Sequence, residues 1–397
     1  MKGLLPRSVL FLSLTVGFIA GVACVQPVLF HFSQLLPDNY RFIATEAMRA
    51  GNPARAEAIA NRRIAKTYYD FEAHYVLAEA LAGQKKYDEA VEVLKLVLRK
   101  LPAARSKKEQ VLGYDEARTY SLLAKYLWSG HRYFEAGEMA RAAIDCGTPV
   151  TARETAAAFG VAGASLKSGA NPDESLALAR VGLKLKAKAE FNGALAALDG
   201  QTSASRAEGA ILSGLWTELY DADTTAAENK YRQAAASYVD EPAVKLALAN
   251  FLQRHHCDEE ATSLTGEIAK LPGTRPIGPG LFVLPTGGSA GTTFTMLRQN
   301  GTARADFNTG VYKVTRLLMN ARGKSALGVF PILVVSSGGK EVTRLYLDSP
   351  QPHLYNLNIW PEGAPKMLDL RFEFINDVYD PYSKADRNVE LSDMFLY

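Results

Sequence analysis

Residues 71–102 read FEAHYVLAEALAGQKKYDEAVEVLKLVLRKLP, from Phe71 to Pro102. Small and apolar residues recur here at helical spacing. Leu77, Ala78 and Leu81 share one face of a first helix, and Tyr87, Ala90, Leu94 and Val97 share one face of a second, with Pro102 closing the unit. The pattern recurs upstream after a shift of about 34 residues, the period of a two-helix repeat: Tyr40, Ile43, Ala44 and Ala47, then Pro53, Ala56 and Ala60. Downstream, past an insertion around Ala103–Tyr114, come Tyr120, Leu123, Ala124 and Leu127, then Tyr133, Ala136 and Ala140. A fourth copy fits Phe159, Ala162, Gly163, Leu166, Pro172, Ser175 and Ala179, and a degenerate last copy fits Leu248, Ala249, Leu252, Ala261 and Ile268.

This arrangement resembles the tetratricopeptide repeat. Small residues let paired helices approach closely while larger apolar residues fill the seams. One hairpin cannot cover its own apolar face, so the resemblance implies a TPR-like α-solenoid over residues 36–272 that docks a protein partner. Residues 183–240 read as helical without a clear repeat phase. Lys184, Lys186 and Lys188, close to Arg180, read as a solvated helix face. His255-His256-Cys257-Asp258 reads as an exposed helix end, because neighbouring residues on a helix point in different directions.

Composition shifts along the chain of 397 residues. Residues 40–270 hold 49 alanines and residues 276–397 hold 7. Alanine favours helices and is depleted in strands, so an α region precedes a β region. Between Leu271 and Gly291, Pro272, Pro276, Pro279 and Pro285 accompany six glycines, which sets an expected linker at 273–282 and a β-sandwich (jelly roll) over 283–397. Met367–Ile375 alternates Leu368, Leu370, Phe372 and Phe374 with Asp369, Arg371 and Glu373, a strand with one buried face. Residues 311–319, 329–335, 341–347, 354–360 and 389–397 read as further strands. Lysine plus arginine, 45, nearly balances aspartate plus glutamate, 42, so no nucleic-acid footprint is present. Three cysteines are too few for a disulfide framework.

At the amino end, Lys2 and Arg7 precede an apolar run from Val9 to Val25 that resumes at Val28–Phe30. Residues 1–30 can cross a hydrocarbon core of roughly 30 Å as a helix, and the positive flank sends the rest of the chain out of the cytoplasm. A cleaved signal is the alternative. So is a lipid anchor at Cys24, because Gly21-Val22-Ala23-Cys24 resembles a bacterial lipoprotein box. Each places the bulk of the chain in the periplasm or at the cell surface.

Oxygen-bearing residues gather near the carboxyl end: Asn376, Asp377, Asp380, Asp386 and Asn388. Calcium takes six to eight oxygens from such groups, though Asn and Asp are also turn residues. The order of strand, Asn376-Asp377, loop, Asp386-Arg387-Asn388 and closing strand resembles the calcium-dependent, xylan-binding type of carbohydrate-binding module. Gly310-Val311-Tyr312-Lys313-Val314, Gly328–Val334 and Tyr355 extend the likeness over residues 305–397. It implies Ca2+ held by Asn376, Asp377, Asp380 and Asp386, sugar contacts from Tyr379, Tyr382 and Asn388, and a loop braced by Arg387. No nucleophile elbow, phosphate loop or zinc-hydrolase helix is visible, so a non-catalytic envelope scaffold is expected. The alternative is a protein-interaction assembly factor whose β region is structural and binds no sugar.

Overall fold

In the computed structural model, the described residues are 39–397 apart from 68–69, 107–114, 147–170, 286–287, 292–293, 309–313, 361–362, 366, 378 and 381. The expected anchor over 1–30 and most of the insertion and fourth-repeat positions Phe159–Leu166 lie outside them. Among the described residues no helix is long and apolar enough to cross a membrane.

Twelve α-helices are described, several of them capped by a side chain at the amino end. They are α1 Tyr40–Arg49, α2 Pro53–Lys66, α3 Phe71–Gly83, α4 Tyr87–Ser106, α5 Glu116–Ser129 and α6 Tyr133–Cys146, followed by α7 Pro172–Leu185, α8 Lys188–Ala196, α9 Ser203–Trp216, α10 Thr224–Ser237, α11 Pro242–Arg254 and α12 Asp258–Ile268. Asn52 and Asn171 accept backbone N–H bonds ahead of Pro53 and Pro172, while Asp115 and Asp223 do the same for α5 and α10. A side-chain oxygen there satisfies a donor that the first turn leaves orphaned, and proline at the first position loses nothing.

The chain divides into two compact units, one reaching Leu94 and one that starts at Lys95 and holds Asp115–Tyr397. In the first, the repeat positions Ala44, Ala47, Ala56, Ala60, Leu77, Ala78, Leu81, Ala90 and Leu94 are buried. Asp70 caps α3 at Ala73 N–H and also accepts the Tyr40 hydroxyl at 2.9 Å and Arg63 Nε at 2.7 Å. Burial and that carboxylate push the Tyr40 phenol up.

In the second unit helices pack on the next and next-but-one: α6 lies against α5 and α7, and α9 against α7, α10 and α11. Tyr120, Leu123, Ala124, Leu127, Ala136 and Ala140 are buried, as are Leu248, Ala249, Leu252, Ala261 and Ile268. At Gly214 a Cβ would stand 2.8 Å from the Tyr231 ring, so only glycine lets α9 and α10 meet there.

The remaining chain forms two main sheets of antiparallel strands. The strands are β1 Arg275–Ile277, β2 Ser289–Ala290, β3 Phe294–Leu297, β4 Gly301–Asn308, β5 Arg316–Lys324 and β6 Ile332–Ser337, followed by β7 Lys340–Tyr346, β8 His353–Asn358, β9 Met367–Phe374, β10 Tyr379–Asp380, β11 Ala385–Asp386 and β12 Asn388–Leu396. One sheet runs β2-β3-β12-β5-β8 with β1 also on β12, the other runs β4-β9-β6-β7, and β10-β11 is a separate hairpin. Leu317, Met319 and Leu391 from the first share one hydrophobic cluster with Leu333, Leu345 and Phe372 from the second.

The expected linker is different. Arg275–Ile277 pairs with Met394–Leu396, and Ile277 and Phe282 are buried in the sheet core. The Pro/Gly run stops the helix but is stitched into the sheet rather than left as a tether. The helices also meet the sheets directly. Leu318 and Phe395 belong to the cluster built by α9–α12, and Asn250 and Asn320 exchange buried amide hydrogen bonds at 2.6 and 2.8 Å. On the other sheet, Glu341 of β7 takes Lys95 and Arg132, and Glu373 of β9 takes Arg99 at 2.5 Å.

Candidate functional site

The loop expected to hold calcium is built differently in each part. Tyr379 pairs with Asp386 and Asp380 with Ala385, so β10 and β11 make a short hairpin. Asp380 folds back on its own tip: it accepts Tyr382 N–H at 3.0 Å, Ser383 N–H at 3.3 Å and the Ser383 hydroxyl at 2.5 Å. Those donors hold its carboxyl below the usual range. The backbone N–H of Asp377 donates to Asn300 at 2.7 Å. Asp386 lines, with Asn388, a cleft of about 630 Å³ that Arg298, Arg322 and Lys324 also line. Burial there raises its carboxyl pKa against the pull of Lys324. Tyr382 is 96% exposed and Tyr379 57%.

Asn376 and Arg387 face inward. Asn376 is buried and fully used: its Oδ1 accepts Ile332 N–H at 2.6 Å, and its Nδ2 donates to Phe330 O at 3.0 Å and to the Tyr120 hydroxyl on α5 at 2.9 Å. Arg387 has no solvent exposure. It donates to the Asn376 carbonyl at 2.8 Å, to Val329 O at 3.0 Å and to Ala326 O at 3.2 and 3.3 Å. Its guanidinium also meets Glu116 at 2.8 and 3.3 Å, and the Tyr120 hydroxyl donates to the same carboxylate at 2.9 Å. The bracing expected of Arg387 therefore reaches beyond the loop to the first turn of α5. Among the described residues no group of three or more His, Cys, Asp or Glu side chains could hold a metal ion.

A second concentration of charge lies where the sequence suggested only a solvated face. Arg180 and Lys184 of α7 join Arg141 of α6, Arg254 of α11 and the β7–β8 connection around a cavity of about 310 Å³. Arg141 donates to Asp348 through Nε at 3.2 Å and to Glu138 at 2.7 Å. Lys184 meets Asp145 at 2.7 Å and Asp348 at 3.4 Å, Arg254 takes Glu218 at 2.7 and 2.8 Å, and Arg180 pairs with Glu208. Arg180 also stacks 4.6 Å from the Phe134 centroid. Burial raises Glu138, with Arg141 opposing it. At Asp348 burial is outweighed by Arg141 and Lys184, and the carboxyl stays below its usual value.

His353 sits in that cavity wall. Burial, opposed by Asp348 and reinforced by Arg141, Arg254 and Arg180, pushes its imidazole down to about 4. Between pH 6.5 and about 4 the unfolded chain binds a proton that the folded chain refuses, so stability falls as pH drops through that window. The expected loss is on the order of 2 kcal/mol, less than the full shift because the residue is only partly covered. Chemical denaturation at pH 7 and pH 4.5 should show a smaller difference for His353→Gln than for the natural chain. An equal difference in both would remove His353 as the cause.

The cavity was not legible from spacing, since its residues come from four helices and one strand connection. The one local signal, the cationic run from Arg180 to Lys188, carried no information about which members turn inward. Lys188 reaches an exposed pair with Asp221 at 3.4 Å, while Arg180 and Lys184 are largely covered.

No protein-family model matches the chain and no curated protein matches it. Among solved structures, the C-terminal part of a TPR repeat-containing protein from Cytophaga hutchinsonii is 16% identical, with a TM-score of 0.26, covering 59% of this chain and 95% of its own. BtubC from P. vanneervenii is 16% identical at a TM-score of 0.25, covering 57% and 90%. A GH115 4-O-methyl-alpha-glucuronidase, BtGH115A, is 9% identical at a TM-score of 0.20, covering 77% of this chain and 41% of that one. Scores this low carry no weight for fold or function.

Proposed function

We propose that the chain is a non-catalytic interaction protein, with a TPR-like helical array that docks a protein partner and a β-sandwich that serves as its structural cover. One observation carries the second half. Three of the residues expected to serve the calcium and sugar site have structural partners instead, with Arg387 and Asn376 bound to Glu116 and Tyr120 of α5 and Asp380 closing its own turn. The first half rests on stacked helices with small residues at the seams. The apolar segment over 1–30 would place this assembly across a membrane from the cytoplasm.

Photo-cross-linkers at Phe42 and Leu96, exposed apolar positions on α1 and α4, should give discrete protein adducts in cells. Adducts confined to Tyr379 and Tyr382 would contradict the proposal. A second reading, glycan binding, is favoured by Tyr379 and Tyr382, because aromatic rings this open at a hairpin tip can lie against sugar faces. The two separate in one titration. The structural reading predicts that millimolar calcium leaves the melting temperature unchanged and that xylan does not bind. Calcium-dependent xylan binding that disappears in Tyr382→Ala would establish the alternative.

A further inference from the structure

The cavity around Arg180 takes no part in the proposed docking role. Its walls are of two kinds. Four cations line it, Arg141, Arg180, Lys184 and Arg254, against two carboxylates, Asp348 and Glu218. Four leucines, Leu183, Leu212, Leu215 and Leu219, line it as well. Three of the cations are paired with carboxylates that do not line the cavity: Arg180 with Glu208, Arg141 with Glu138 and Lys184 with Asp145. One donor is left over, since Nη1 of Arg180 is buried and has no hydrogen-bond partner among the described residues. A guanidinium nitrogen in that state is costly unless a ligand or water meets it.

The rim carries a second mark. Thr217–Asp221 continues α9 as a π-helical turn, a rare geometry that is frequent at functional sites. That turn places Glu218, Leu219 and Tyr220 on the cavity, and Leu219 is left 54% exposed. At about 310 Å³ the space falls at the lower end of the range for small-molecule sites, which are mostly apolar with a few convergent polar groups.

We propose that this cavity binds a short aliphatic anion, its carboxylate or phosphate head against Arg180 and its chain along the four leucines. The occupant is independent of any docking partner. His353 reports on it directly, because an anion in the cavity favours the imidazolium. Asp348 from its own connection, Arg141 from α6, Arg180 from α7 and Arg254 from α11 act on the ring, and Lys184 from α7 and Glu218 from the π turn line the same cavity. A cationic guest would move the ring the other way.

The test is a titration of the full chain carrying ¹³C-labelled histidine, with the His353 resonance assigned by His353→Asn. Octanoate and octyl phosphate distinguish the two head groups, and octylammonium controls for the chain alone. One or both anions should raise the His353 midpoint saturably, and octylammonium should not. Arg180→Met should weaken binding at least tenfold. Because Arg180→Met also strips Glu208 of its partner, Leu219→Glu, at a half-exposed position, supplies the decisive variant: it should melt like the natural chain and lose at least tenfold in affinity. No saturable shift with either anion, an equal upward shift with octylammonium, or unchanged binding in Leu219→Glu would overturn the proposal.

Discussion

Replacing Arg387 with methionine is expected to destabilise the second unit by about 3–5 kcal/mol, the cost of removing one partner from a buried ion pair. The magnitude reflects the groups left stranded. Glu116 loses its cationic partner and is left beside the Tyr120 hydroxyl, the Asn376 carbonyl loses the guanidinium donor, and the Ala326 and Val329 carbonyls keep only each other's backbone N–H. Methionine fills much of the space, so the loss reports hydrogen bonds and charge rather than a void. Thermal melting followed by circular dichroism should shift down by roughly 10 °C. Adding Glu116→Gln should recover part of that loss, because the uncompensated carboxylate is then gone. A shift of under about 1 kcal/mol in Arg387→Met would mean that the loop does not clamp the sheets to α5.

Phe395→Ala should cost about as much, roughly 3–5 kcal/mol, for a different reason. Phe395 lies on β12 but packs with the α9–α12 cluster, next to Leu318, and is only 4% exposed. Its neighbours Met394 and Leu396 point into the sheet core. A register shift between Ser392 and Phe395 produces this inversion, and Asp393 there takes a positive φ of 44°. Truncation therefore opens a cavity between helix and sheet rather than inside either. Helical ellipticity and tryptophan emission should fall together at the lower temperature. A helical melting curve unchanged from the natural chain would show that the two parts are separate.

The sequence made some of this architecture readable for physical reasons. Helix faces were legible where burial follows the 3.6-residue period, as at Tyr120, Leu123, Ala124 and Leu127. Strand β9 was legible because only one of its faces is buried, giving strict alternation. Strand β5 was placed several residues early. Leu317 to Ala321 is buried on both faces, toward the sheet core and toward α11, so no alternation marks its limits. Strand β4 escaped because Ala303 and Ala305, small and weak strand formers, occupy its inward positions.

At the candidate site the limit was long-range pairing. Arg387 could be read as a brace, but its partner stands 271 residues away, and nothing local to either residue announces the other. Asp380 and Asp386 look alike as letters, yet one caps a turn and the other lines a cleft. Residue type gave the inventory of oxygens and left their directions open.

Hydrogen exchange of the full chain, read by mass spectrometry, tests most directly whether helices and sheets of the second unit form one cooperative body. The account predicts that peptides from α5–α6 and α9–α12 and those from β5, β9 and β12 share one opening free energy, and that Arg387→Met lowers all of them together. Sheet peptides that stay protected while the helices exchange, as a β domain on a tether would, contradict it.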